Sequence, residues 1–135
     1  MKVCLDTNAL SALMVEGQGD RTLLAKEVME EAERVFVPTI VLGEALFGFA
    51  KGNREAENRR RLRDFLEQPG MALAPVDADA AERYARIFLH LRGIGKPIPQ
   101  NDVWIAGIAA SLGAALLTFD AHFRHVPGLL IVPET

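Results

Sequence analysis

The sequence predicts an α/β fold with a mostly parallel central sheet of four to five strands, covered by helices on both faces. Three observations predict it. Short, continuous apolar runs alternate along the chain with longer segments whose apolar residues recur at helical spacing. The apolar runs lack the polar alternation of strands with one wet face, so they belong in a sheet buried on both sides. At 135 residues, half of them hydrophobic, the chain is large enough to bury such a core as a single domain spanning 1–135.

Val3 to Leu5 reads as the first strand. Leu24, Val28 and Ala32 recur at helical spacing and predict a helix from about Asp20 to Glu33. Val35-Phe36-Val37 is a second strand closed by Pro38, after which Thr39 is expected to cap a helix carrying Ile40, Val41, Leu42, Ala45, Leu46 and Phe49. A charged helix follows from about Arg54 to Glu67 and stops at Pro69-Gly70. Ala72 to Val76 is a third strand. Asp77 or Asp79 caps the next helix, which has Tyr84, Ile87, Phe88 and Leu91 on its apolar face and ends at Gly93. Pro99 precedes a helix that starts near Asn101 and ends at Gly113. Ala115 to Thr118 is a fourth strand and Leu129 to Val132 a candidate fifth.

Composition narrows the function classes. The net charge of −3 does not suit a protein that coats nucleic acid by charge alone. Cys4 is the single cysteine, so no intrachain disulfide forms, which fits a reducing cytoplasm. No targeting segment is expected, because the opening apolar run is short and ends in Asp6. The longest uncharged stretch, Val103 to Phe119, contains Gly107, Ser111 and Gly113 and falls short of the roughly 20 apolar residues of a membrane span.

Four acids stand isolated in apolar surroundings. Asp6 is the only formal charge between Lys2 and Glu16, and Glu44 the only one between Arg34 and Lys51. Asp102 is alone between Lys96 and Asp120, and Asp120 is alone between Asp102 and Arg124. A carboxylate removed from water costs several kcal/mol unless it finds a cation, finds donors or takes a proton. Asp6 and Asp120 follow strands, Asp102 lies in a first helical turn, and Glu44 lies about one and a half turns into its helix. Such positions meet at the carboxyl edge of a parallel sheet, where ligands bind. Hard oxygen ligands with no partner histidine or thiolate suit Mg²⁺ or Mn²⁺, and such ions serve phosphoryl chemistry. Each acid also has an ordinary reading: Asp6 as a helix cap, Asp102 as a favourable charge at a helix start, Asp120 as a turn residue. Capping does not explain Glu44, which is flanked by Leu42, Ala45 and Leu46.

The segments around these acids resemble the PIN-domain family, and within it the VapC-type toxins of toxin–antitoxin pairs. Val3-Cys4-Leu5-Asp6-Thr7-Asn8 is similar to that family's first strand and its Asp-Thr-Asn/Ser signature. Pro38 to Glu44 resembles the segment leading to its glutamate, Asn101 to Ala106 its Asn/x-Asp-x-x-Ile-Ala helix start, and Leu117 to Asp120 with Phe123 and Val126 to Leu129 its last motif and tail. The resemblance covers nearly the whole chain in order. It implies a three-layer α/β/α fold, Mg²⁺- or Mn²⁺-dependent endoribonuclease activity, a homodimer, and inhibition by a co-expressed antitoxin protein. It assigns the acidic cluster to Asp6, Glu44, Asp102 and Asp120, with Asn8 and Thr118 as supporting polar residues. The chain departs from the family at His122, where a further acid is common.

Other features have two readings each. Arg59 and Arg63, four apart in a dense basic run, are candidate contacts for RNA phosphates or part of a solvated face balanced by Glu55, Glu57 and Asp64. Lys96 is a candidate RNA contact or part of a connector. His122 and His125, three apart, are expected to be surface histidines rather than a zinc site. Trp104 stacks on a base or packs in the core. Leu10, Leu13, Met14, Leu24 and Val28 suggest two apolar faces, for a dimer or for the core. Two other functions compete: a non-catalytic RNA- or protein-binding domain on the same fold, and a phosphatase using Asp6 as nucleophile. The second needs another acid two residues on, where the chain has Asn8.

Overall fold

The computed structural model describes all residues except Glu16, Gln18 and Thr135. Five parallel strands form one sheet: β1 (Lys2–Leu5), β2 (Arg34–Pro38), β3 (Met71–Ala74), β4 (Ala115–Leu117) and β5 (Ile131–Val132), in the order β3-β2-β1-β4-β5. Among the described residues six helices connect them: α1 (Thr7–Met14), α2 (Asp20–Glu31), α3 (Thr39–Ala50), α4 (Glu55–Leu66), α5 (Ala78–Gly93) and α6 (Gln100–Leu112). A short 3₁₀ turn, Ala121–His125, links β4 to β5.

Burial explains why the strand sequences are continuously apolar. Val3, Cys4 and Leu5 point alternately to opposite faces, yet all three are fully buried, as are Leu116 and Leu117. Helices therefore cover both faces at the centre of the sheet. Burial also pushes the Cys4 thiol far above its ordinary value, with the nearby Asp6 charge adding to the rise, so this cysteine stays protonated.

Several boundaries move for physical reasons. β3 ends at Ala74 rather than Val76 because it is an edge strand whose partner, β2, ends at Pro38, opposite Ala74. Thr39 is the first residue of α3, not its cap; the cap position belongs to Pro38, which brings no side-chain acceptor, and its fixed φ makes the turn. α2 ends at Glu31, and the Glu33 amide donates to the Met1 carbonyl, which leads the chain into β2. The buried face of α2 carries Thr22 and Ala25, with Val28 and Met29 against the core, while Leu23 and Leu24 face outward. Of the apolar residues near the N-terminus, Leu10 is fully buried, and Leu13 and Met14 pack against the same core. Asp77, not Asp79, caps α5 by accepting from the Ala80 amide. Gly113 closes α6 in the left-handed conformation, at φ +64°.

Helices α5 and α6 pack closely. Tyr84 stacks on Trp104 with ring centroids 3.7 Å apart, and Gln100 Nε2 donates to the Tyr84 hydroxyl at 2.9 Å. Trp104 is therefore engaged in helix packing. Gly107 allows the approach: a Cβ there would stand 3.0 Å from the Ala80 carbonyl oxygen and 3.2 Å from the Tyr84 nitrogen, both backbone atoms that cannot swing aside. Gly107→Ala is expected to destabilise the protein by about 1–3 kcal/mol through overpacking. Gly48→Ala is the control: its methyl meets nothing within 4 Å, so helix propensity should raise stability by roughly 0.5–1 kcal/mol. Urea unfolding of both variants checks the pair, and a stabilised Gly107→Ala protein would refute the close approach.

Candidate active site

β1 and β4 lie side by side at the centre of the sheet, and their connections leave in opposite directions, to β2 on one side and β5 on the other. A crevice at the carboxyl ends of such strands is the usual ligand site of an open parallel sheet. Here it is a cleft of about 460 Å³ lined by Asp6, Thr7, Asn8, Glu44, Pro99, Gln100, Asn101, Asp102 and Asp120. All four isolated acids thus reach one cleft. Asp6 comes from the end of β1, Asp120 from just beyond β4, Asp102 from the first turn of α6 and Glu44 from the second turn of α3.

Each carboxylate is held by identifiable donors. Asp6 is almost fully buried; its Oδ1 accepts from the Ala9 amide at 2.8 Å, capping α1, and its Oδ2 accepts from the Thr118 hydroxyl. The ordinary and the functional readings of Asp6 are therefore compatible, since one carboxylate both caps a helix and faces the cleft. The Asp120 amide donates to Thr118 Oγ1 at 3.0 Å, and Asn8 Nδ2 reaches Asp120 Oδ2 at 3.4 Å. Asp6, Thr118, Asp120 and Asn8 thus form one chain of contacts. Glu44 Oε1 accepts from the Thr7 hydroxyl at 2.8 Å. His122 Nε2 lies 2.9 Å from Asp102 Oδ2.

Burial dominates the electrostatics, and neighbouring like charges add to it. Burial pushes the Asp6 carboxyl above its ordinary value; its hydrogen bonds to Thr118 and Ala9 oppose the rise, and the charges of Asp120 and Asp102 add to it. Burial likewise raises Asp102, with His122 opposing and Glu44 and Asp120 adding. Among the described residues, no three His, Cys, Asp or Glu side chains already surround a common point at ligand distance. The donor set nonetheless fits a hard divalent cation: carboxylate oxygens from four segments share one cleft, and a positive ion there would offset both the burial and the smaller like-charge repulsion that raise Asp6 and Asp102.

The PIN domain family model matches residues 3–129. The chain belongs to the PIN-domain family. Ribonuclease VapC5 of Mycobacterium tuberculosis (strain ATCC 25618 / H37Rv) is 31% identical over 124 residues, 92% of this chain and 87% of that protein. Ribonuclease VapC2 of Rickettsia felis (strain ATCC VR-1525 / URRWXCal2) is 25% identical over 128 residues, 94% of this chain and 93% of that one. Among solved structures, VapBC-1 from nontypeable Haemophilus influenzae superposes with a TM-score of 0.82 at 25% identity, covering 97% of this PIN domain and 96% of that chain. VapBC-5 from Mycobacterium tuberculosis, of the VapBC family of toxin-antitoxin systems, gives 0.68 at 28% identity, covering 97% and 98%.

The PIN-domain cleft gathers Asp6, Asn8, Glu44, Asp102 and Asp120, with Thr118 behind Asp6. Arg59 and Arg63 do not line it; both lie on α4, where Arg59 contacts Glu55 at 3.5 Å. The sequence reading did not assign Thr7 or Gln100 to the site, and it marked His122 only as the position where the family commonly has a further acid. Thr7 was signalled only by its place between Asp6 and Asn8. The expectation that His122 is an ordinary surface histidine is corrected by its contact with Asp102, and its place two residues after Asp120 was the available signal.

The raised Asp6 carboxyl means that the folded chain holds this proton more tightly than the unfolded chain does. Its contribution to stability therefore declines as pH rises from the ordinary carboxylate range through the raised value. Asp6→Asn keeps a good capping side chain and removes that titration. In cation-free buffer its melting temperature should gain on wild type between pH ~4 and pH ~7. A difference that stays constant across this range would show that the charge on Asp6 is not destabilising.

Proposed function

We propose that this chain, as a single PIN-like domain in the cytoplasm, is a Mg²⁺- or Mn²⁺-dependent endoribonuclease and the toxin of a type II toxin–antitoxin pair. The observation that carries the reading is the convergence of Asp6, Glu44, Asp102 and Asp120 in one cleft at the centre of the sheet. The full-length similarity to proteins named ribonuclease VapC supports the reaction, and the similarity to VapBC complexes supports an antitoxin partner. A homodimer is part of the same proposal.

The four acids would hold the cation. When bound, it would lower the pKa of a water and stabilise charge on the phosphodiester and the leaving oxygen. The remaining work falls to the chain itself. Thr118 and the Ala9 amide fix both oxygens of Asp6, Thr7 fixes Glu44, and Asn8 steadies Asp120. These donors set the carboxylate orientations before substrate arrives. Without a cation, the cleft repels a phosphodiester; with the four acids neutralised, the rest of the chain sums to −3 + 4 = +1. Arg59 and Arg63 are proposed to hold RNA phosphates away from the reacting centre.

Purified protein is expected to cleave structured RNA with Mg²⁺ or Mn²⁺ and to stop on chelation. Asp6→Asn and Glu44→Gln should each lower the cleavage rate by about 10²-fold or more while leaving the fold intact by circular dichroism. Cleavage by Asp6→Asn at the wild-type rate would reject this site. Expression of wild type without antitoxin should arrest growth, and Glu44→Gln should relieve the arrest; a non-catalytic binder would not show this difference.

The RNA-contact proposal has its own measurement. The Arg59→Ala/Arg63→Ala double variant should bind single-stranded RNA with a salt slope shallower by about 1.4, the loss of two phosphate contacts. An unchanged slope assigns this helix to the solvated surface.

A further inference from the structure

We propose that His122 is itself a ligand of the cleft's divalent cation, adding one imidazole nitrogen to the carboxylate oxygens and tilting preference from Mg²⁺ toward first-row transition ions. The inference rests on the proposed cation site and goes beyond it, since the acids alone predict an all-oxygen site.

Three observations carry it. His122 Nε2 lies 2.9 Å from Oδ2 of Asp102, a residue that lines the acidic cleft, with His122 itself just behind that lining. Nε2 is shielded from solvent, although the side chain as a whole is about one-third exposed, and it has no aligned hydrogen-bond partner. A shielded nitrogen beside a carboxylate oxygen is explained either by the Asp102 contact itself or by an ion that the two share. The imidazole is also seated: its ring packs against Phe123 with centroids 4.7 Å apart, and Phe123 is fully buried.

The spacing suits shared ligation. Two donors at right angles on an octahedral ion, each about 2.1 Å from it, stand about 3.0 Å apart. A nitrogen and an oxygen already near that separation need little movement to share an ion. Glu44 and Asp120 line the same cleft as Asp102, from α3 and from just beyond β4. Imidazole suits transition ions better than Mg²⁺, which keeps oxygen and water ligands, so a single nitrogen donor changes selectivity as well as affinity.

The competing role for His122 is positioning: the ring orients Asp102 without touching the cation. The two roles separate experimentally, because a mispositioned Asp102 weakens all divalent ions alike, whereas a lost nitrogen ligand weakens transition ions selectively. The experiment uses the full chain and Mn²⁺ alone, with affinity from calorimetry and ligation from pulsed electron paramagnetic resonance. Wild type is expected to bind Mn²⁺ and to show imidazole ¹⁴N modulation that disappears in His122→Ala. That variant should lose about tenfold in Mn²⁺ affinity while Mg²⁺ affinity changes less than about twofold. His122→Asp, which restores an oxygen donor, should still bind Mn²⁺ without the nitrogen signal and with a lowered Mn²⁺/Mg²⁺ ratio.

Bound Mn²⁺ with no ¹⁴N modulation, or equal losses for both ions in His122→Ala, would overturn the ligand assignment and leave the acidic site standing. Failure of wild type to bind Mn²⁺, or binding unaffected by Asp6→Asn, would instead remove the cation site and this inference with it.

Discussion

The Asp6 carboxylate, buried at the carboxyl end of β1, is where the fold and the site constrain each other. One oxygen caps α1 through the Ala9 amide, and the other receives the Thr118 hydroxyl from the residue just past β4. A single side chain therefore ties the central strand to the helix that follows it and to its neighbour in the sheet. Burying a charge is unfavourable, and the hydrogen bonds offset that only in part, so the carboxyl is left above its ordinary range. The unfavourable component persists because the surrounding core leaves Asp6 almost fully buried, with little contact with water where it meets the cleft.

The other acids follow from the same placement. Once β1 and β4 are adjacent, the residues after each strand meet, and the starts of α3 and α6 lie at the same edge. The partners that orient Asp6, Glu44 and Asp120 are hydroxyl, amide and backbone donors: Thr118 and Ala9 for Asp6, Thr7 for Glu44, Asn8 for Asp120. Neutral donors fix geometry without cancelling charge, so a concentrated negative field remains in the cleft. This combination of fixed orientation and uncancelled charge distinguishes the cleft from an ordinary set of surface acids.

α5 and α6 serve the site from a distance. The Tyr84–Trp104 stack and the close approach at Gly107 hold α6 against α5, and α6 presents Asp102. Gln100 links the two, since it lines the cleft and donates to Tyr84. Trp104, for which the sequence offered base stacking or core packing, packs against Tyr84 on the neighbouring helix. No helix among the described residues is long and apolar enough to cross a membrane, in keeping with the glycine-interrupted Val103 to Phe119 stretch.

The element types, their order and the four isolated acids were legible from sequence because each depends on local properties: residue spacing, turn chemistry, and a charge standing alone in an apolar run. Even there, edge effects shortened β3, and the outward-facing Leu24 shows that spacing alone does not choose which face of a helix is buried. What only the tertiary structure decided is which polar group serves which acid. Thr118 reaches Asp6 and Asn8 reaches Asp120 across 112 positions of sequence, Thr7 reaches Glu44 across 37, and His122 meets Asp102 through the turn beyond β4. Those pairings depend on strand order and on how helices seat against the sheet, and no local pattern of spacing or propensity encodes either.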